Sequence, residues 1–190
     1  MSQTLLNSLQ TEYRASFLNP QEIISKLGME QGIAVADFGC GAGYFSLTAA
    51  KRIGEDGRVY SFDILPQKLE SVESQAKSAG LTNIITKRAN LENKNGSGLD
   101  PESVDWVIMK DMLFQNKEKD GILVEAERVL KSGGRVLAIE WNMEDLSIGP
   151  AKSLRIYKEV LIELAGRVGL KLDKEIKVGD FHYGLVFVKA

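Results

Sequence analysis

The chain has 190 residues, 44% hydrophobic and 26% charged, a length and balance suited to one soluble globular domain with a full core. Its net charge of -2 and pI of about 5.6 exclude the global positive field that would draw it to nucleic acid. A single cysteine excludes an internal disulfide or a cysteine-built metal cluster, and it fits a reducing cytoplasmic setting. No apolar run reaches the roughly 18 residues of a membrane helix. The opening MSQTLLNSLQTEYR lacks the basic and apolar regions of a signal peptide.

In chain order, residues 3–28 read as helix in two pieces, broken near Asn19-Pro20 and stopped by Gly28. Strand one is Ile33 to Phe38. A glycine loop follows, then a helix whose Phe45, Ala49 and Ile53 fall on one face. Strand two, Arg58 to Phe62, stops at Asp63. The next helix starts at Pro66, carries the apolar stripe Leu69, Val72, Ala76 and Ala79, and closes at Gly80. Asn83 to Lys87 is strand three, and the polar run Glu92 to Gly98 is a surface loop. Val104 to Met109 is strand four. A helix marked by Ile122, Leu123, Ala126, Val129 and Leu130 is expected to end at Gly133-Gly134. Strand five, Arg135 to Glu140, is apolar along most of its length, as a strand covered on both faces should be. Leu154, Leu161, Leu164 and Val168 mark one more helix. Closing strands near Asp173–Val178 and Tyr183–Lys189 are too close in sequence for a parallel crossover, so they must be antiparallel neighbours. The expected fold is α/β: a Rossmann-like three-layer sandwich with a seven-stranded, mostly parallel sheet and an antiparallel last strand. Residues 1–190 form one domain in this reading, with 1–28 a helical lid and 30–190 the core.

The loop VADFGCGAGYF carries the chemistry. It places backbone N–H groups at a helix N-terminus, where a ligand can approach closely. Its spacing is D-x-G-x-G-x-G, from Asp37 to Gly43. The G-x-G-x-x-G of nicotinamide and flavin folds would need glycine at 44, and this chain has Tyr44. An acid at the end of strand one suits the amino-acid part of a zwitterionic ligand and repels a pyrophosphate. Asp63, at the tip of strand two, can accept hydrogen bonds from both hydroxyls of a ribose. Ile64 and Leu65 would flank a purine base. Asn90 follows strand three, where a short polar side chain can meet an amino group on that base. Lys110-Asp111 ends strand four at the same edge of the sheet.

With VYSFDI, VDWVIMKDMLF, EAERVLKSGGRVLAIEW and HYGLVFVK, the glycine loop makes residues 30–190 resemble the class I S-adenosylmethionine-dependent methyltransferase superfamily, in its small-molecule and quinone-type branch. The resemblance implies S-adenosyl-L-methionine as cofactor. It places Asp37, Gly39, Gly41 and Gly43, with Cys40 between them, at the methionine part. Asp63 and Ile64 fall beside the nucleoside, and Asn90 and Leu91 at the adenine. Lys110 falls on the same wall. Position 90 is often aspartate in that superfamily, and here it is asparagine.

Methyl transfer from a sulfonium needs alignment and exclusion of water more than it needs acid–base groups. The acceptor side is therefore read from position. Ligands bind beyond the carboxyl ends of the strands, which singles out Glu140, Trp141 and Asn142 after strand five. Asp111 and His182, the only histidine, stand as candidate catalytic groups. Tyr13 and Arg14 on the expected lid, and Arg155 after Gly149-Pro150, are further substrate candidates, each equally readable as a packing or surface residue. The leading expectation is a methyltransferase acting on a small molecule, with no nucleic-acid partner, no integral membrane association, no metal and an open oligomeric state. A non-catalytic S-adenosylmethionine-binding or interaction protein on the same fold is the alternative. A nicotinamide oxidoreductase is disfavoured by Asp37 and Tyr44.

Overall fold

The computed structural model describes residues 17–116, 118–145 and 148–190. Among them, β1 (Ala34–Phe38), β2 (Arg58–Asp63), β3 (Ile84–Arg88), β4 (Val104–Lys110), β5 (Leu130–Trp141), β6 (Leu170–Ile176) and β7 (His182–Lys189) form one sheet in the order β3-β2-β1-β4-β5-β7-β6. The β1–β2, β1–β4, β2–β3 and β4–β5 pairings are parallel. β7 runs antiparallel to both of its neighbours. This is the expected architecture, with the reversed last strand inserted between β5 and β6.

Alternation along the strands divides the core between the two faces. Ala36, Phe38, Val107, Met109 and Ala138 face α4 (Lys119–Val129) and α5 (Lys158–Arg167). Val35, Val59, Ile108, Leu137 and Ile139 face α1 (Pro20–Lys26) and α2 (Tyr44–Ile53). α3 (Pro66–Ser78) covers the outer part of that second face through Leu69 and Val72. The result is three layers, helix–sheet–helix.

α1 begins as the sequence implies. The Asn19 side chain accepts hydrogen bonds from the Gln21 and Glu22 N–H groups, and Pro20 holds the first helical position. Ile23, Ile24 and Leu27 are buried against α2, so this part of the expected lid is anchored in the core. Of its described residues, Phe17, Leu18 and Pro20 reach the cavity described below. Residues 1–16, with Tyr13 and Arg14, lie outside the described residues.

Three boundaries differ from expectation. α4 stops at Val129, and β5 starts at Leu130 with an irregularity opposite Val104–Trp106 that absorbs Gly133 and Gly134. Leu154 lies in a short 3-10 turn and is exposed; α5 begins only at Lys158. β6 spans Leu170–Ile176, starting and ending earlier than the 173–178 expected. No helix among the described residues is long and apolar enough to cross a membrane.

The loop at 92–98 lies on the surface but is tied down. Glu125 on α4, 2% exposed, accepts hydrogen bonds from the Ser97 N–H (3.0 Å) and hydroxyl (2.5 Å), and pairs with Arg128 at 2.8 Å. Burial pushes the Glu125 carboxyl up, but its bonds to Arg128 and Ser97 outweigh that and hold it below the usual range. We expect Glu125→Ala to lower stability by about 2 kcal/mol, because it strands a buried N–H and a half-buried guanidinium. The loss should appear in chemical denaturation at neutral pH. It should shrink as acid protonates Glu125 in the parent protein, since a depressed carboxyl stabilises only above its folded pKa.

Candidate functional site

The site is built where β1 and β2 end. Gly39, Gly41 and Gly43 all have positive φ, at 75°, 53° and 83°. Two of these positions also require close approach. A Cβ on Gly43 would lie 2.8 Å from Val72 Cγ2, and one on Gly39 would lie 3.3 Å from Met112 Sδ. The second contact sets the glycine loop against the turn that follows β4. The loop is then lashed down by hydrogen bonds. Gly39 and Cys40 N–H donate to the Phe62 carbonyl at 2.9 and 2.8 Å, and Gln75 Nε2 donates to the Ala42 carbonyl at 2.8 Å.

Asp63, expected at a ribose, also has a structural part. Its Oδ2 accepts from the Gly41 N–H at 3.0 Å, and its Oδ1 accepts from the Leu65 N–H at 2.9 Å. One carboxylate thus joins the glycine loop to the start of α3. Each oxygen keeps a lone pair for a ligand. Asp37 is buried and accepts from the Ser46 hydroxyl at 2.5 Å, which in turn accepts from Ser61. Burial pushes its carboxyl up to about 6, against the lowering effect of Ser46. Cys40 is a buried free thiol, pushed well above its usual range by burial.

These groups open on a cavity of about 850 Å³, inside the range of roughly 300–1,000 Å³ typical of small-molecule and cofactor sites. Asp37, Gly39, Cys40, Gly41, Asp63, Ile64, Asn90, Leu91 and Lys110 all line it. Gly43 does not; it shapes the loop from behind, as the N-cap of α2. The two strand-end acids, the glycine backbone and the apolar Ile64, Leu65 and Leu91 fit a ligand that joins an amino acid to a nucleoside.

The acceptor candidates separate. Asp111, Trp141 and His182 line the same cavity. Glu140, Asn142 and Arg155 do not, and all three have other work. Asn142 bonds the chain at Asp180 and Phe181. Arg155, 9% exposed, donates to the carbonyls of Asn142, Glu144 and Pro150 at 2.8–3.0 Å and sits 5.9 Å from the Trp141 ring. It therefore fixes the chain after β5 and does not face the cavity. Glu140 is fully buried, and its Oε1 accepts from the Leu113 N–H at 2.6 Å, which anchors the turn Leu113–Gln115. Its Oε2 has no partner.

Phe17, Tyr44, Met112, Gln115, Ile148 and Phe181 also line the cavity, and none was named from sequence as a site residue. Phe181 had a signal, being next to His182. The others reach the site through the fold alone. Gly149 had one as well: at φ 92° it lies against Trp141, and a Cβ there would be 2.5 Å from the ring.

Comparison with known proteins agrees with this geometry. Residues 29–168 match the profile of the methyltransferase-domain family. The chain belongs to that family. It is 25% identical over 182 residues to a demethylmenaquinone methyltransferase of Lactococcus lactis, covering 91% of this chain and 71% of that one. It is 30% identical over 141 residues to a probable cobalt-precorrin-6B C(15)-methyltransferase of Methanosarcina acetivorans, covering 73% of this chain and 72% of that one. Its fold is similar to that of a SAM-dependent methyltransferase from Aquifex aeolicus, with a TM-score of 0.84 at 21% identity over 100% of both chains. The methyltransferase is thus of class I and depends on S-adenosylmethionine.

Burial pushes the Glu140 carboxyl up to about 8, against the lowering effect of the Leu113 N–H and with help from nearby Asp111. The methyltransferase should keep this proton to about pH 8, while the unfolded chain loses it near its ordinary value. Stability must then fall as pH rises between those limits, because the native state holds the extra proton. Glu140→Gln keeps an acceptor for Leu113. In denaturation at several pH values it should remove most of that slope, by a few kcal/mol across the window.

Proposed function

We propose that this methyltransferase holds S-adenosylmethionine across the ends of β1 and β2 and methylates a small-molecule acceptor seated beside β4, β5 and β7. The meeting of Asp37, the glycine loop and Asp63 in one cavity supports this best. Asp37 and the backbone of Gly39 to Ala42 would take the methionine part. Asp63 would take the ribose, Ile64 and Leu91 the faces of the adenine, and Asn90 its polar edge. Lys110 would border the junction with the acceptor. When bound, the cofactor supplies a methyl carbon on a positively charged sulfur that is already a good leaving group, so the chain's task is alignment and exclusion of water. The demethylmenaquinone and cobalt-precorrin in its relatives' names support a ring-bearing acceptor. The acidic overall charge disfavours nucleic acid, and the lone buried thiol fits the cytoplasm.

Calorimetry with S-adenosylmethionine tests this reading. Wild type should bind in the micromolar range, and Asp63→Ala should lose at least tenfold in affinity, since each bond to a charged acceptor is worth roughly 1.5–3 kcal/mol. Asp63→Asn, which keeps one oxygen for Gly41, should lose less. Absence of binding by wild type at millimolar cofactor would sink the proposal. Release of S-adenosylhomocysteine in cell extract distinguishes an enzyme from a protein that only binds.

A further inference from the structure

One wall of the cavity holds a buried polar pair, Asp111 and His182, with atoms that make no hydrogen bond. Asp111 follows the last residue of β4, with φ at 54°, an uncommon value for a residue other than glycine. His182 begins β7, and its side chain is 8% exposed. His182 Nε2 lies 3.1 Å from Asp111 Oδ1. The two are close enough to pair but not aligned for a hydrogen bond, and both atoms are sealed from water without another partner. The cost of such burial is otherwise unreturned. Both residues line the cavity. The imidazole rests on Trp141, ring centroids 4.1 Å apart at 40°. The charged groups around the pair are Lys110, whose ammonium contacts Asp111, and Glu140 behind it on β5.

We propose that His182, oriented by Asp111, is the base that takes a proton from the acceptor, and that the acceptor is a flat ring carrying an acidic hydroxyl, a phenol or an enol. The proposal rests on the methyltransferase reading and names its substrate class. With Nε2 turned to Asp111, Nδ1 is the nitrogen left to accept. The O–H proton passes to Nδ1, and the bonding pair stays on oxygen as the nucleophile. Asp111 stabilises the imidazolium until the proton leaves to water. Lys110 selects the class: its positive charge favours an oxyanion and repels a protonated amine. Trp141 and Phe181 supply apolar surface for the ring.

The probe is 4-nitrophenol, whose anion alone is yellow. It is titrated into the protein with and without S-adenosylhomocysteine, about one pH unit below the phenol's own ionisation. Wild type should bind it as the yellow anion. His182→Gln should bind it colourless. Asp111→Asn should weaken anion binding about tenfold. Both variants should keep S-adenosylhomocysteine affinity within about twofold, which also shows that they fold. The proposal is overturned if wild type binds no nitrophenol at millimolar concentration, or binds it without colour. It is overturned equally if His182→Gln keeps the colour, or if Asp111→Asn loses the cofactor product, which would assign Asp111 to the cofactor. Should wild type fail to bind S-adenosylhomocysteine while still turning the phenol yellow, the methyltransferase reading falls and the base stands.

Discussion

β7 runs against β5, and its register pairs Trp141 with His182 at the edge where the parallel strands end. A parallel β7 with the same residues would begin at the far edge and leave the histidine remote from the cavity. The reversal therefore lets a residue at the start of a strand meet residues at the ends of others. Asp37, Asp63 and Asp111 arrive there because parallel strands deliver their carboxyl ends together. The chain also changes direction across the sheet between β3 and β4, and the cavity opens beside β1, where that change occurs.

Two buried acids at this edge have different consequences. Asp37 faces the cavity, and its own hydrogen bonds do not offset its loss of water. A positively charged ligand group would offset it, so the site is poised for a cation. Glu140 lies away from the cavity, behind Asp111, and is still harder to ionise. Its oxygen holds the N–H of Leu113, and the neighbouring Met112 and Gln115 form cavity wall. The first acid suits ligand binding; the second keeps the turn after β4 in place.

The sheet was legible because buried parallel strands are apolar runs bounded by turn residues, and β1, β2 and β4 are of that kind. The glycine loop and its place at the cavity were legible for a related reason: glycines at fixed offsets and an acid at a strand tip act through the backbone beside them. The end of α4 was not legible, because the apolar spacing runs through Leu130 into a strand that starts without a turn. Arg155 was misplaced for a longer-range reason. Its guanidinium is consumed by carbonyls as far back as Asn142, and nothing in the residues beside it reveals that. Asp111 and His182 were each visible as candidates, but their approach to 3.1 Å depends on the β5–β7 register, which a sequence pattern does not specify.

The site is divided along the sheet. β1, β2 and the residues after β3 carry the groups proposed for the cofactor, held by main-chain hydrogen bonds, strand ends and the side chains of Ser46 and Gln75. The turn after β4 and the facing ends of β5 and β7 carry the side proposed for the acceptor. Beside them Arg155 gathers the carbonyls of Asn142, Glu144 and Pro150, while Gly149 packs on Trp141. A guanidinium that bonds only backbone oxygens holds the path of a segment whatever side chains that segment displays. Residues such as Ile148 can therefore change, and with them the shape offered to an acceptor, without disturbing Asp63 or the glycine loop. That separation gives a physical reason why a fold of this kind can keep one half of its site while the other half changes.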